Sequence, residues 1–315
     1  MRILVTGASG FIGRNLVPEL VALGYDVIAA TRSQETFEGA TSVRLPELGP
    51  EADFSCCLKG VDAVIHLAGR AHVLRESTNP DLERLYLKIN CEGTRALAAQ
   101  SASHGVKHMV FLSSCHAVSA ASETRLTEKT EPAPGSTYGR SKLAAEMALK
   151  SELDHTPCVY TILRPPLVYG PGNLANFARL IKLVRSGIPL PFAAVSNRRS
   201  FLSVRNLTHV ITHCLWNKPA AGRTYYPSDG TDVSTPELII ALAQAFGLHA
   251  RLVPFPVPLL GSLSHLPGMG PLRKLMSSLF VDSGPLARDL GWIPPQTLNE
   301  GLRSIGEAPI RPPHH

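Results

Sequence analysis

Cysteine pairs of the kind that hold metals or build disulfide frameworks are missing from this 315-residue sequence. None of its six cysteines belongs to a C-x-x-C pair. They are Cys56, Cys57, Cys91, Cys115, Cys158 and Cys214. Most stand in apolar or mixed surroundings, which is typical of reduced thiols in cytosolic proteins. We therefore predict neither a metal site nor a disulfide.

The sequence also has no long apolar run and no signal-peptide pattern. No stretch approaches the ~18 consecutive apolar residues that indicate a membrane span. The first residues, RILVTG, have the pattern of a strand and lack the charged start and long apolar segment of a signal peptide. We expect a cytoplasmic protein with no membrane insertion.

Aromatic residues make up only 6% of the chain and are not interleaved with the basic residues. The formal net charge is +6, yet the lysines and arginines are spread along the chain rather than gathered in one stripe. This distribution argues against a nucleic-acid partner. An anionic small substrate accounts for the positive charge equally well.

Short apolar runs alternate with helical patterns through the first half of the chain. The runs RILVTG, DVIAAT, AVIHLAG, HMVFLSS and YTILRP have the length and composition of strands buried on both faces. Between the first two, Leu16, Leu20 and Leu23 recur at helical spacing, and Gly24 follows as a helix end. Strand, helix and strand at ~30-residue spacing predict an α/β fold with a Rossmann-type doubly wound parallel sheet and a smaller C-terminal substrate-binding lobe.

The composition changes after Gly170, where proline and glycine become dense and the apolar units shorten. We predict a dinucleotide-binding domain over residues 1–170. Residues 199–230 are expected to return to it, because ITHCLWN and RTYYPSDG have the patterns of one more helix and strand. The substrate-binding lobe then comprises residues 171–198 and 231–315.

The stretch GASGFIG places Gly7, Gly10 and Gly13 between a predicted strand and an amphipathic helix. Such a loop offers backbone N–H groups and a helix N-terminus to a pyrophosphate. The acidic residue that usually binds the adenosine ribose is absent, and the chain has Thr31 and Arg32 there. Unless they are solvated surface residues, Arg32 and Arg14 can neutralise a 2′-phosphate. We predict NADP(H) as the preferred cofactor and NAD(H) as the alternative.

A candidate catalytic group lies in STYGRSKLAAE, where Tyr138 and Lys142 share one face of a predicted helix. An ammonium near a phenol lowers the pKa of the tyrosine towards the range of a general acid/base. Ser113 and Ser114 end the strand HMVFLSS, at the sheet edge where open α/β proteins bind ligands. The tyrosine and lysine alone could form an ordinary helix face, but the glycine loop and the serines together with them predict an oxidoreductase site.

The motifs TGASGFIG, HLAG, INCEGT, FLSS, YGRSK and LRPPLVYGPG occur in this order, and with them the sequence resembles the extended short-chain dehydrogenase/reductase family. The resemblance covers residues 1 to about 300. It is strongest to the branch of nucleotide-sugar epimerases, dehydratases and reductases, including UDP-glucose 4-epimerase-like proteins and C4-reductases that form UDP-N-acetylquinovosamine. It implies a nicotinamide cofactor, a UDP-sugar substrate and a homodimer.

The resemblance also implies roles for individual residues. Tyr138 would be the acid/base, Lys142 its pKa partner and ribose ligand, and Ser114 the carbonyl polariser, with Ser113 as the fallback. The positions that match the family's cofactor site are Gly7, Gly10, Phe11, Ile12, Gly13, Leu67, Ala68, Gly69, Asn90 and Pro165. The positions expected at the substrate are His72, Asn176, Arg199 and, less well aligned, Arg273.

Three departures from the family pattern bear on function. Glu47 stands where an aspartate near the adenine is common, and Leu167 replaces an asparagine that contacts the sugar in epimerases. After the serines the chain continues CHAVSA, where many epimerases have Tyr-Gly. Cys115 and His116 leave open a nucleophile-and-base alternative at this point.

We predict an enzyme that transfers hydride at C4 of a UDP-activated hexose in surface polysaccharide biosynthesis. A 4-keto-sugar reductase that forms UDP-N-acetylquinovosamine ranks first, because the two arginines favour an exchangeable NADP(H). The alternatives are a UDP-glucose or UDP-N-acetylglucosamine 4-epimerase with retained NAD and, more remotely, a non-catalytic cofactor-sensing scaffold. The helical stretches 80–103 and 138–152 carry enough Leu and Ala for a dimer interface.

Overall fold

The computed structural model of the protein describes residues 1–33, 35–71, 80–172, 178–217, 220–264 and 269–307. The strands are β1 Arg2–Thr6, β2 Asp26–Thr31, β3 Thr41–Arg44, β4 Ala63–His66, β5 His108–Leu112, β6 Val159–Leu163, β7 Leu167–Tyr169, β8 Phe201–Ser203 and β9 Arg223–Tyr225. The helices are α1 Phe11–Ala22, α2 Ser55–Leu58, α3 Pro80–Tyr86, α4 Gly93–Ser103, α5 Thr137–Leu153, α6 Ala178–Arg185, α7 Val204–Trp216, α8 Thr235–Ala245, α9 Val257–Ser264, α10 Gly270–Met276, α11 Gly284–Leu290 and α12 Leu298–Glu307.

Seven strands form one parallel sheet in the order β3-β2-β1-β4-β5-β6-β9. Successive residues of β1 enter different cores, because side chains alternate between the faces of a strand. Ile3 packs with residues of α1 and α7, whereas Leu4 packs with residues of α4 and α5. Helices therefore cover both faces, and the predicted Rossmann-type doubly wound sheet is confirmed.

The chain leaves the sheet after β6 and returns to it at β9. In between, β7 and β8 pair with each other, and α7 packs against α1 on the large sheet. A separate apolar cluster joins α6, α8, α9 and α12. Whether residues 1–170 with 199–230 form a domain distinct from the remaining segments stays a prediction.

The helix that follows β4 contains an irregular turn. Leu87–Glu92 is a π-helical segment between α3 and α4, so the predicted helical stretch 80–103 is continuous but carries one wider turn. Such segments often occur at functional sites because they redirect a side chain. Asn90, one of the predicted site residues, lies within it and is buried.

Candidate active site

The glycine loop connects β1 to α1 and packs closely against the loop after β4. Gly7 has a positive φ of 72°, and a Cβ there would lie 2.8 Å from the backbone nitrogen of Ala68. At Gly13 a Cβ would lie 2.5 Å from the carbonyl oxygens of Gly7 and Ala8. Only glycine fits either position. Gly10 is the N-cap of α1 and has no side chain to cap the helix. The backbone amides of Phe11 and Ile12 in the first turn are therefore uncovered, and such a helix N-terminus suits a pyrophosphate.

The loop after β4 is fixed by two side chains. The amide of Ala68 donates to the Thr6 hydroxyl at 3.3 Å. Asn90 accepts from the Arg70 amide at 2.7 Å and donates to the Arg70 carbonyl at 3.0 Å. Asn90 also donates to the Ser141 hydroxyl at 2.9 Å, which in turn donates to the carbonyl of Tyr138. The π-helical turn thus ties the cofactor side of the site, including Leu67 and Gly69, to α5.

The two arginines predicted to select the cofactor lie at the end of β2 and in the first turn of α1. Arg32 is exposed directly after β2. Arg14 makes an ion pair with Glu35 at 2.9 Å. The hydroxyl of Thr31 donates to the carbonyl of Ser33 rather than facing the site. Glu47, predicted near the adenine, is 89% exposed and lies 3.8 Å from the ammonium of Lys88.

Ser114, Tyr138 and Lys142 meet at the C-terminal end of β5. Ser136 caps α5 by accepting from the amide of Gly139 at 3.0 Å, which sets the start of the helix one residue before Tyr138. Gly139 packs directly on the carbonyl of His116, where a Cβ would overlap, and this close approach brings the helix to the serine turn. The hydroxyl of Ser114 lies close enough to the phenol of Tyr138 to lower its pKa. The Lys142 ammonium is buried 4.4 Å from the centre of the Phe111 ring.

The pKa values of this group are governed by burial. Burial raises the pKa of Tyr138 to about 12, with the nearby Ser114 hydroxyl acting in the opposite direction. Burial lowers the pKa of Lys142 to about 8, which Glu146 opposes. Our expectation that Lys142 lowers the pKa of Tyr138 is therefore wrong for the protein without ligands. The cost of removing a phenolate from water exceeds the stabilisation that we ascribed to the ammonium.

Because the Lys142 ammonium is buried, the variant Lys142→Met tests how much this charge destabilises the folded protein. The folded-state pKa of Lys142, about 8, is below its ordinary 10.5, so its burial penalty is complete below pH 8 and fades as the pH rises to 10.5. We expect Lys142→Met to raise stability at pH 7 by about 1–3 kcal/mol, with little effect near pH 11. Urea unfolding at both pH values measures this. An equal gain at both pH values would show that packing, not charge, is the cause.

A second buried network lies directly behind the catalytic group, and the sequence analysis missed it. The hydroxyl of Ser113 donates to Glu146, whose carboxylate receives the guanidinium of Arg164 at 2.6 and 2.9 Å. Arg164 also donates to the hydroxyl of Tyr226 at 2.7 Å. Burial would lower the pKa of Arg164, but Glu146 raises it, so the guanidinium stays charged. Of the two serines, Ser113 therefore contacts this network and Ser114 contacts Tyr138.

The predicted substrate residues are placed less completely. His72 and Asn176 lie outside the described residues. One guanidinium nitrogen of Arg199 donates to the carbonyls of Lys274 and Ser277, so a clamp on a diphosphate must use the rest of the group. Arg273 is exposed on α10.

Cys115 and Pro165 both lie beside Ser114, and their contacts are structural. Cys115 is fully buried in an apolar cluster with Val118 and Leu126, and burial raises the pKa of its thiol to about 12. A thiol of this kind is not an accessible nucleophile, which removes the Cys115 and His116 alternative. The carbonyl of Pro165 accepts the amide of Cys115 at 3.0 Å, so the chain after β6 is fixed next to the serine turn.

Comparison with known proteins identifies the family to which the chain belongs. The model of the NAD dependent epimerase/dehydratase family matches residues 3–226. The chain belongs to this family. The resemblance seen in the sequence motifs is thereby confirmed. Among curated members, a UDP-glucose 4-epimerase of Vibrio cholerae is 37% identical over 97% of this chain and 94% of its own length.

Other similar members differ in the sugar carrier that their names give. An N-acetyl-alpha-D-glucosaminyl-diphospho-ditrans,octacis-undecaprenol 4-epimerase of Escherichia coli O157:H7 is 26% identical over 95% of this chain and 92% of its own. A solved structure, MoeE5 in complex with UDP-glucuronic acid and NAD, is 26% identical with a TM-score of 0.76, and 98% of both chains is covered. Within the residues that the structure describes, no helix is long and apolar enough to cross a membrane.

Proposed function

We propose that the protein is a nicotinamide-dependent oxidoreductase that acts at C4 of a UDP-activated hexose. The observation that carries this is the grouping of Ser114, Tyr138 and the buried Lys142 at the carboxyl end of β5, in the sheet that also carries the glycine loop. The similar proteins support the substrate class, because the Vibrio cholerae relative is named for UDP-glucose and MoeE5 was solved with UDP-glucuronic acid. The intact group of three argues against a non-catalytic scaffold.

Within this class, reduction of a 4-keto sugar is our first candidate. With a pKa of about 12, Tyr138 is protonated at neutral pH and can donate its proton to the C4 oxygen. Ser114 stabilises the negative charge that develops on that oxygen, and the Lys142 ammonium adds positive charge nearby. When bound, the nicotinamide supplies the hydride. A substrate of this kind is a UDP-4-keto-6-deoxy-N-acetylhexosamine, and its product serves surface polysaccharide biosynthesis.

The second candidate is a 4-epimerase that retains its cofactor. An epimerase begins by removing a proton from the C4 hydroxyl, which requires the phenolate of Tyr138. Bound substrate and cofactor would then have to lower the pKa of Tyr138 by several units. The name of the Vibrio cholerae relative favours this candidate. Both candidates share the same residues and differ in whether the cofactor leaves.

The cofactor distinguishes the two candidates. Arg32 is exposed where a 2′-phosphate would lie, and Arg14, held by Glu35, is close in the first turn of α1. We therefore propose NADP(H) as the cofactor, bound through these arginines and the glycine loop. We further propose a cytoplasmic homodimer formed through the helices of residues 80–103 and 137–153.

The decisive experiment identifies the nucleotide released from purified, denatured protein and then titrates the emptied protein with NADPH and NADH. We expect little bound nucleotide and tighter binding of NADPH. Arg32→Ala should weaken NADPH by about tenfold or more, the effect of one charge-assisted hydrogen bond, and leave NADH unchanged. Lys107→Ala is the matched control, because Lys107 directly precedes β5 and so lies at the amino-terminal ends of the parallel strands, whereas Arg32 follows the carboxyl end of β2. Stoichiometric NAD⁺ in the purified protein would instead establish the epimerase.

A further inference from the structure

Acidic residues are absent from a long part of the C-terminal half. Residues 238–281 contain no Asp or Glu but include Arg251, Arg273 and Lys274. All three are exposed. Just before this stretch, Asp232 is an acid whose side chain is only 7% exposed, and it is ion-paired with Arg125 at 2.6 Å. This part of the chain therefore carries a net positive charge of its own.

The same stretch exposes large apolar side chains. Helix α9 turns Leu260 inward, whereas Leu259 and Leu263, one turn apart, are 55% and 44% exposed on its outer side. Val253 before α9 and Met269 after it are also exposed. We call these four residues, with Arg251, Arg273 and Lys274, the α9–α10 surface. Neighbouring apolar side chains that form a contiguous exposed patch often mark an interaction site.

Helix α9 is anchored through its inner face, and its exposed leucines lie on the outer face. Leu260 belongs to the lobe's apolar cluster, and Leu272 and Leu275 of α10 pack against that cluster. The segment before α9 is tied to residues 190–193 by backbone hydrogen bonds, among them the amide of Leu190 to the carbonyl of Arg251 at 2.7 Å. The inward side chains that hold the helix are thus distinct from the outward ones, so the latter are not required for folding of the lobe.

Charge decides which partner this surface fits. A second copy of the chain would place its own Arg251, Arg273 and Lys274 opposite the same three cations, which is unfavourable. An anionic lipid surface, in contrast, accepts apolar side chains below its headgroups and attracts lysine and arginine beside them. We propose that the α9–α10 surface docks the protein on an anionic lipid bilayer without spanning it.

This docking is independent of the proposed function. Helix α10 does contact one of the predicted substrate residues, because the carbonyl of Lys274 accepts from Arg199.

The test is co-sedimentation of the full chain with vesicles, either phosphatidylcholine alone or an equal mixture with phosphatidylglycerol. We expect binding to the anionic vesicles only, and weaker binding as salt is raised. The double variant Leu259→Gln/Leu263→Gln should lower vesicle binding by about tenfold or more. Arg251→Gln/Lys274→Gln should lower it by about fivefold or more. Ile293→Gln, which replaces a 73% exposed side chain outside this surface, is the control and should bind like the wild type.

Three results would overturn the proposal. The first is that the wild type binds neither vesicle type, and the second is that it binds both equally. The third is that the Leu259→Gln/Leu263→Gln variant binds anionic vesicles as well as the wild type does. Size-exclusion chromatography adds a separate criterion, because a change from dimer to monomer in that variant would assign the surface to self-association. Circular dichroism and turnover in solution, which we expect to be unchanged, exclude misfolding as the cause of any loss. Turnover of the wild type also tests the proposed function separately from vesicle binding.

Discussion

Replacing Tyr138 by phenylalanine is expected to lower turnover by roughly 10²–10⁴-fold, the usual contribution of a positioned general acid. The variant removes one oxygen, which lies near Ser114 in the wild type, and keeps the ring that lies between Tyr86 and His116. We propose that cofactor binding depends on the glycine loop, Asn90 and Lys142, so the dissociation constant for NADPH should stay roughly the same. Steady-state kinetics with a UDP-4-keto sugar and a fluorescence titration with NADPH measure the two effects.

Tyr160→Phe is a suitable control for this prediction. Tyr160 lies on β6, is partly buried like Tyr138, and its backbone pairs with Met109 well inside the sheet. Its loss of a hydroxyl should leave turnover near the wild-type value. If Tyr138→Phe retains turnover, another group supplies the proton, and our assignment of the acid is incorrect. If turnover and NADPH affinity fall together, the hydroxyl serves binding rather than proton transfer.

Much of the fold could be predicted because parallel strands buried on both faces are continuous apolar runs. The five runs named in the sequence analysis all contain strands of the sheet. The edge strand β3 could not be found from apolar runs, because TSVR is largely exposed and contains none. The π-helical turn at Leu87–Glu92 was missed because one extra residue in a helix scarcely changes the apolar spacing.

The serine pair shows where sequence reasoning about the site reaches its limit. The motif identifies two candidates, Ser113 and Ser114, but alternation along an extended chain sends neighbouring side chains in different directions. Which one approaches Tyr138 depends on the packing of α5 against the turn after β5. The pKa of Tyr138 could not be predicted either, because burial raises it and the sequence does not give the size of that effect.

Glu146 was accessible from the sequence, although we did not select it. It lies four residues after Lys142, hence on the same face of α5, and a carboxylate on the inner face of a helix must have a partner. Arg164, directly after β6, is the matching buried cation. An acid and a base that both occur in predicted core positions are a signal for a buried ion pair.

Glu146→Ala is expected to destabilise the protein by about 3–5 kcal/mol, because it leaves the Arg164 guanidinium buried without its carboxylate. The side chains of Glu146 and Arg164 are 2% and 7% exposed, so water cannot replace the lost partner. The hydroxyl of Ser113 also loses its acceptor. The midpoint and slope of urea unfolding, followed by circular dichroism, give the free energy of unfolding for the variant and the wild type.

The same helix provides a matched control for Glu146→Ala. Glu152 of α5 is paired with Arg95 at 2.9 Å, but these side chains are 29% and 43% exposed, so Glu152→Ala should cost at most about 1 kcal/mol. A double variant, Glu146→Met/Arg164→Met, separates pairing from packing, since removing both charges should restore much of the stability lost by Glu146→Ala. Equal losses in Glu146→Ala and Glu152→Ala would mean that burial adds nothing to this ion pair. A double variant no more stable than Glu146→Ala would mean that the volume of the side chains, and not the unpaired charge, determines the loss.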